Sequence, residues 1–365
     1  MFQFELVVTE ACNLKCSYCY MKNNKSMMVN IIFDQHYKML PVIMKEFNEE
    51  RFMTTFFGGE PLLNWKLIVH AIEKIKNDPV NAGFIIPTNG LLLTPEKIIY
   101  LQKHNVNLSL SFDGLWNKIE RLDNQGEPTF ERYMRMFLDD EWENLFQSCK
   151  IMVPPKRGNI SLVENYEFFL NDIDNAYPDF TLVRDKTWTG DDVHRFEVEI
   201  KQLADTVIRY ISAGVETMPG IFSLYMLDTI MADRHGKRPF SCFAGCHGAG
   251  FMPNGFVYPC ARFGSHGLRA MYNSIGGRQY HKLPESVTNP KKFAKCQACE
   301  LYTYCNSGCT FEQYTAEDEF GDPVDNVCKL FKACYEQAFR ITHVLKYSPT
   351  FKNVMEHIIR RIENG

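Results

Sequence analysis

The sequence predicts an α/β fold: a partial (β/α)6 barrel of TIM type, then a small cysteine-rich C-terminal domain and closing helices. Three observations carry this. Six short apolar runs alternate with segments of helical spacing over residues 1–215, the pattern of a parallel sheet covered by helices. Six such units fall short of the eight that close a barrel. After a bridge at 216–240 the composition changes, with eight cysteines between Cys242 and Cys328. The cysteine-rich domain is therefore assigned to 241–335 and the closing helices to 336–365.

The first strand is Phe4-Glu5-Leu6-Val7-Val8, and Cys12, Cys16 and Cys19 follow it in the spacing C-x3-C-x2-C. Loops leaving the strands line the active face of such a barrel. Residues 22–25 read as a polar, solvated loop. Residues 33–47 have helical spacing, with Pro41 expected to kink the helix or end its first part. Met53-Thr54-Thr55-Phe56-Phe57 is the second strand and runs at once into Gly58-Gly59-Glu60-Pro61. Leu67, Ile68, Ala71, Ile72 and Ile75 share one helical face, for which Asn64 is the expected cap.

Phe84-Ile85-Ile86 is the third strand, ending in Thr88-Asn89-Gly90, and Thr94 and Pro95 open the next helix. Residues 106–111 form the fourth strand, which ends in Phe112-Asp113-Gly114. A helical region spans 130–146. The fifth strand, 149–153, is closed by Pro154-Pro155. Residues 162–170 are helical. The sixth strand, 180–183, ends at Arg184 and Asp185, and residues 196–211 form a long amphipathic helix. A helical bridge covers 218–232, and one or two helices close the chain over 332–363.

Composition excludes several classes. The 365 residues carry a formal charge of −4, which gives no sign of a nucleic-acid or membrane-surface partner. No apolar run is long enough to span a membrane. The N-terminus has no basic-then-apolar targeting segment, so a cytoplasmic protein is expected. Thirteen cysteines without such a segment point to metal ligation rather than disulfides.

Three thiolates hold three irons of a 4Fe–4S cluster and leave the fourth iron open to a chelating molecule. A structural zinc or three unrelated thiols are the alternatives, but no fourth His or Cys ligand follows nearby. The paired glycines let backbone approach a ligand closely, and Glu60 offers a carboxylate to an amino group. The C-terminal cysteines run C-x3-C-x13-C for Cys242, Cys246 and Cys260, then C-x2-C-x5-C-x3-C for Cys296, Cys299, Cys305 and Cys309, with Cys328 beyond. Spacing alone leaves two zincs and two clusters equally open. Cys149 reads as a small core residue, and Cys334 as a spare thiol in a helix.

The triad together with Gly58-Gly59-Glu60-Pro61 resembles the radical S-adenosylmethionine (SAM) superfamily. The second cysteine field, with Gly255 five residues before Cys260, is similar to the SPASM extension of peptide-modifying members and of anaerobic sulfatase-maturating enzymes. The resemblance implies SAM and three 4Fe–4S clusters: one on the triad, one on Cys242, Cys246, Cys260 and Cys309, and one on Cys296, Cys299, Cys305 and Cys328. It implies SAM contacts at Gly58, Gly59, Glu60 and Ser111. Asn89, at the end of the third strand, is a further candidate contact, and Tyr18 and Tyr20 either shield the cluster and border the adenine or are ordinary packing residues. It also implies hydrogen abstraction from a peptide or protein by a 5′-deoxyadenosyl radical, ending in a crosslink, thioether or oxidised side chain. The electron donor would be a flavodoxin or ferredoxin. Small-molecule oxidation and a zinc-stabilised, non-catalytic binding module are the alternatives.

In sulfatase maturases an Asp directly follows the Gly-x4-Cys cysteine and acts as base. Here Ala261 and Arg262 stand there instead. Arg262, Asp113, Arg184 and Asp185 are thus the candidate substrate residues. The chain starts at its first barrel strand, so a separate leader-binding protein, or the barrel mouth itself, is expected to capture the substrate.

Overall fold

The computed structural model describes all residues except 22–23, 138–144, 146–147, 174–177, 185, 236–241, 280–292, 306–308, 315–320 and 364–365. In chain order the elements are β1 (Phe2–Thr9), β2 (Leu14–Cys16), α1 (Asn30–Glu46), β3 (Phe52–Gly58), α2 (Trp65–Ile75), β4 (Asn81–Thr88), α3 (Pro95–Lys103), β5 (Val106–Ser111), β6 (Arg121–Asp123) and α4 (Phe130–Phe137). There follow β7 (Ser148–Val153), α5 (Leu162–Asp172), β8 (Pro178–Leu182), α6 (Gly190–Ser212) and α7 (Gly220–His235). The last are β9 (Gly248–Phe251), β10 (Phe256–Tyr258), α8 (Ala261–Ser265), β11 (Tyr272–Asn273), β12 (Arg278–Gln279), α9 (Ala294–Gln297), α10 (Asp325–Leu345) and α11 (Pro349–Glu363). All six predicted barrel strands are present, as β1, β3, β4, β5, β7 and β8.

Packing divides the chain into two compact units. The first comprises residues 1–112, 117–149 and 242–288; the second comprises 113–116, 150–241 and 289–365. In the first unit β1, β3, β4 and β5 lie side by side in parallel. Phe2, Phe4, Leu6 and Val8 of β1 meet Phe33, Leu40 and Ile43 of α1 and the apolar face of α2 in one core. Each buried Leu, Ile or Phe there contributes roughly 1.5–3 kcal/mol. Side chains alternate across a strand, so Glu5, Val7 and Thr9 lie on the opposite face of β1.

Residues 248–279 return to this same sheet. β9 pairs in parallel with the free side of β1, and β10, β11 and β12 extend it as an antiparallel meander. A second, two-stranded ladder joins β2 of the cysteine loop to β6 in antiparallel register, with Cys16 opposite Arg121. Neither the meander nor this ladder has a sequence signal strong enough to predict it.

The structure refines two helix expectations. Pro41 does not end α1, which runs through it from Asn30 to Glu46. Proline removes one hydrogen bond from the ladder, but Phe33, His36, Leu40, Ile43 and Met44 are buried on both sides of it and hold the helix together. Asn64 sits at the start of α2 without capping it. Its amide instead donates to the carbonyls of Val8 (2.8 Å) and Met28 (2.9 Å), tying the end of β1 to the segment that enters α1. Thr94 does cap α3, accepting from the Lys97 amide. The predicted 130–146 helix is described only as α4, and its remainder falls largely outside the described residues.

In the second unit β7 lies beside β8, and α6 packs against both α5 and α10. α5 and α6 open with capping boxes, Ser161 with Glu164 and Thr189 with Asp192, each satisfying two orphan amides at once. Arg157 is fully buried and pairs with Glu199 at 2.8 Å, while Arg195 holds the other Glu199 oxygen at 2.6 Å. Removing one partner strands a buried charge. Glu199→Ala is therefore expected to lower stability by about 3–5 kcal/mol in urea unfolding, with the solvent-facing Glu356→Ala, whose ion pairs to Lys352 and Arg360 are exposed, near neutral.

His36 ties α1 to the returning meander, with Nδ1 at 2.8 Å from Ser274 Oγ and Nε2 at 2.9 Å from the Met252 carbonyl. Burial pushes its pKa down to about 4, against the hydrogen bond to Met252. The unfolded chain binds this proton near 6.5 and the folded chain only near 4. The stability this group contributes is present above the unfolded value and is lost as pH falls through that window. Roughly 3 kcal/mol of acid destabilisation follows, and His36→Gln should flatten that part of a stability-versus-pH curve.

Candidate active site

The cysteine loop leaves β1 at Thr9 and is fixed by backbone. The amides of Gly59 and Glu60 donate to the carbonyls of Thr9 (3.0 Å) and Ala11 (2.9 Å). A Cβ on Gly58 would overlap the Thr9 carbonyl oxygen, and one on Gly59 the Ala11 carbonyl oxygen. Gly58 also has φ +142°, a region that disfavours any side chain. The close approach these glycines permit is thus to the root of the cysteine loop.

Glu60 is 1% exposed. Its Oε1 accepts from the Leu62 amide (3.0 Å) and the Thr88 hydroxyl (2.8 Å), and its Oε2 from the Asn89 amide (2.8 Å). Burial pushes its pKa up, against these three donors. A carboxylate offers about four acceptor positions, so one is left on Oε2. Asn89 is likewise engaged, its amide donating to Asn13 Oδ1 at 2.8 Å. Glu60, Thr88, Asn89 and Asn13 therefore join the ends of β3 and β4 to the cysteine loop.

Within the loop the Leu14 amide donates to Cys12 Sγ at 3.4 Å, and the Cys19 amide to the Cys16 carbonyl at 3.1 Å. Arg121, on β6, points Nη1 at Cys16 Sγ (3.7 Å) and stacks its guanidinium 5.6 Å from the centre of the Tyr18 ring. Glu120 bonds the Ser17 hydroxyl, and its carbonyl accepts from the Ser17 amide. The sequence does not mark Glu120 or Arg121 as site residues, because a three-residue strand over a hundred residues from the cysteine loop leaves no periodic signal. Ser111 ends β5, where the Tyr133 hydroxyl reaches its carbonyl at 3.4 Å.

The donor set fits a cluster. Cys12, Cys16 and Cys19 sit together on one short loop. Burial, then the charges of Glu60, Cys16 and Cys19, push the Cys12 thiol up to about 12 against the Leu14 amide bond. Such thiols become thiolates only beside added positive charge, which a bound metal supplies. Among the described residues no three Cys, His, Asp or Glu side chains converge on one point that seats a single ion.

The second cysteine field falls into two groups. Cys242, Cys246 and Cys260 belong to the first unit. Burial and the neighbouring Cys242 push Cys246 up to about 12. In the second unit Cys296, Cys299, Cys305 and Cys328 line one cavity of about 210 Å³, with Lys295 and Lys332 beside them. Cys309 lies in a smaller pocket with Arg184 and Cys328, which this pocket shares with the four-thiol cavity.

The substrate candidates divide. Arg262 stacks its guanidinium 5.1 Å from the Tyr20 ring centre. Arg184 sits over Phe331 (5.2 Å), among the C-terminal cysteines. Asp113 is fully buried, and its Oδ1 accepts from the Met152 amide at 2.8 Å, so that oxygen holds backbone. Asp185 lies outside the described residues. Cys149 is buried, with its thiol on the Phe112 carbonyl (3.4 Å), and Cys334 is buried against Tyr225.

Gly59→Ala is expected to cost about 1–3 kcal/mol through overlap with Ala11 and to reduce iron uptake on reconstitution. Gly190→Ala, where a Cβ meets nothing within 4 Å, should leave both the melting temperature and iron uptake unchanged.

A model of the Radical SAM superfamily matches residues 6–138. The radical SAM cyclopropyl synthase TigE of Paramaledivibacter caminithermalis is 26% identical over 84% of this chain and 67% of its own. The serine-type anaerobic sulfatase-maturating enzyme of Bacteroides thetaiotaomicron is 21% identical over 98% of this chain and 94% of its own. Native anSMEcpe, solved with bound AdoMet and the Cp18Cys peptide, has the same fold, with a TM-score of 0.72 and 19% identity over 94% of this chain and 99% of its own. No described helix is long and apolar enough to cross a membrane. The cysteine triad at the end of β1 and Gly58-Gly59-Glu60, packed against its root, both lie within residues 6–138, the part of the chain that matches a radical SAM domain.

Proposed function

We propose that this chain is a peptide or protein maturase that removes a hydrogen atom from its substrate by radical SAM chemistry and leaves it oxidised, as a crosslink, thioether or modified side chain. The observation that carries the reading is the four-thiol cavity of Cys296, Cys299, Cys305 and Cys328 in a chain that also has the radical SAM triad. Thiols from two segments, residues 296–305 and the helix that carries Cys328, line one space there, as the ligands of a fully coordinated 4Fe–4S cluster do. Cys242, Cys246 and Cys260, with Cys309, are the proposed ligands of a further cluster. The peptide bound by anSMEcpe and the maturase names of the relatives support the substrate class.

A 4Fe–4S cluster held by Cys12, Cys16 and Cys19 would supply the one-electron reduction that splits bound SAM into methionine and a 5′-deoxyadenosyl radical. The protein's part is placement. Cys12, Cys16 and Cys19 hold the cluster at the end of β1. Gly58, Gly59 and the remaining acceptor position of Glu60 receive the methionine end of SAM. Ser111, Asn89, Tyr18 and Tyr20 border the rest, and buried walls exclude water from the radical. Arg262 and Arg184 offer planar forks to a substrate carboxylate. The proposed division has the barrel over 1–215, the bridge over 216–240, the auxiliary-cluster domain over 241–335 and closing helices over 336–365. A cytoplasmic site, a flavodoxin or ferredoxin donor and a separate leader-binding protein complete the proposal.

The test is iron and labile sulfide per chain after anaerobic reconstitution. Wild type should hold about twelve irons, and the Cys12/Cys16/Cys19→Ala variant about eight with no SAM cleavage. About four irons, all lost in the triple variant, would sink the auxiliary-cluster reading, and zinc in place of iron would make the chain a binding module. Formation of 5′-deoxyadenosine that does not rise with any peptide would instead favour a small-molecule substrate.

A further inference from the structure

β1 carries the cysteine triad at its end, and its side-chain alternation puts Glu5 on the face opposite the helix-packed core. Glu5 is 8% exposed. A carboxylate so nearly buried costs free energy unless its oxygens are bonded. One oxygen is: Oε2 accepts from the amide of Ala261 at 2.6 Å. Among the described residues it is the one hydrogen bond the Glu5 carboxylate accepts. Ala261 immediately follows Cys260, so the bond grips the peptide group on the C-terminal side of a proposed cluster ligand.

The strand partner fits the same purpose. Glu5 stands opposite Gly250 in the β1–β9 register. A Cβ on Gly250 would come within 2.5 Å of the Ala261 nitrogen and 2.6 Å of the Cys260 carbonyl carbon. The bare backbone at Gly250 therefore lets the Cys260–Ala261 peptide lie against the sheet, where Glu5 reaches it. A second contact joins the same two loops. Tyr20, next to Cys19, is stacked by Arg262, two residues after Cys260.

We propose that Glu5 is a positioning residue: with the Tyr20–Arg262 stack it clamps the Cys260 loop onto the strand that carries the triad, fixing Cys260 for cluster ligation. The inference rests on the proposed auxiliary-cluster role of Cys260. In that role the clamp holds two cysteine loops, more than two hundred residues apart in sequence, on one rigid strand. Glu5 needs only to accept a hydrogen bond to do this, and a glutamine oxygen does the same.

The test compares Glu5→Gln with Glu5→Leu in the full-length chain after anaerobic reconstitution. The readouts are iron per chain and the electron paramagnetic resonance spectrum of the reduced protein, with the melting temperature as a check on folding. Leucine is similar in size and suits a strand, but accepts nothing. Glu5→Leu should lose about four irons and the corresponding auxiliary signal while keeping the triad signal and SAM cleavage. Glu5→Gln should keep the iron and the signals of wild type. Wild-type iron and spectrum in Glu5→Leu would overturn the proposal, as would a Glu5→Gln variant that fails like Glu5→Leu. Cys260→Ala, run in parallel, separates the two levels: if it too keeps every iron, the cluster reading of Cys260 fails, and the clamp role fails with it.

Discussion

The close approach of Gly58 and Gly59 to the backbone of Thr9 and Ala11 is the constraint on which the N-terminal half depends. Two strand ends can touch there only because neither residue has a side chain. Two amide–carbonyl bonds then fix the root of the cysteine loop to the end of β3. Glu60 extends the junction to β4 through Thr88 and Asn89. The motif that resembles a ligand-binding loop is thus first a joint among three strand ends, and a ligand bound there meets a surface already rigid.

Buried charge is the second theme. Glu5 and Glu60 are carboxylates held away from water, and burial pushes both upward, Glu5 to about 7. The nearby thiols are pushed the same way. A site with buried acids and reluctant thiols is costly while empty of positive charge. Binding of a metal cluster would relieve that cost and couple assembly of the site to its loading. In the second unit Lys295 and Lys332 stand beside the four-thiol cavity, where Lys295 opposes the upward push of burial on Cys328.

The meander of residues 248–279 shows how the C-terminal part of the chain is put to use. By sequence it belongs with the cysteine-rich region, yet by packing it completes the sheet on the open side of β1. His36 fastens it from α1 through both ring nitrogens. One consequence is that Cys260 and the triad share a single framework, which local folding of a small cysteine-rich module would not give.

The barrel strands were legible in the sequence because parallel strands covered on both faces are continuous apolar runs, and the cysteine groups were legible because ligand spacing is local. Thr94 at the start of α3 was legible for the same reason, since a cap acts within one turn. What the sequence did not reveal depends on contacts between distant segments: the β2–β6 ladder that puts Arg121 beside Cys16, the reach of Asn64 to Val8 and Met28 instead of its own helix, the turn of Asp113 onto the Met152 amide, and the hold of Glu5 on the peptide after Cys260. Composition and periodicity report the average surroundings of a residue along its own element. Which partner a buried polar group meets is decided only when the chain has closed, because an unsatisfied donor or acceptor takes whatever partner the tertiary fold brings within hydrogen-bond reach.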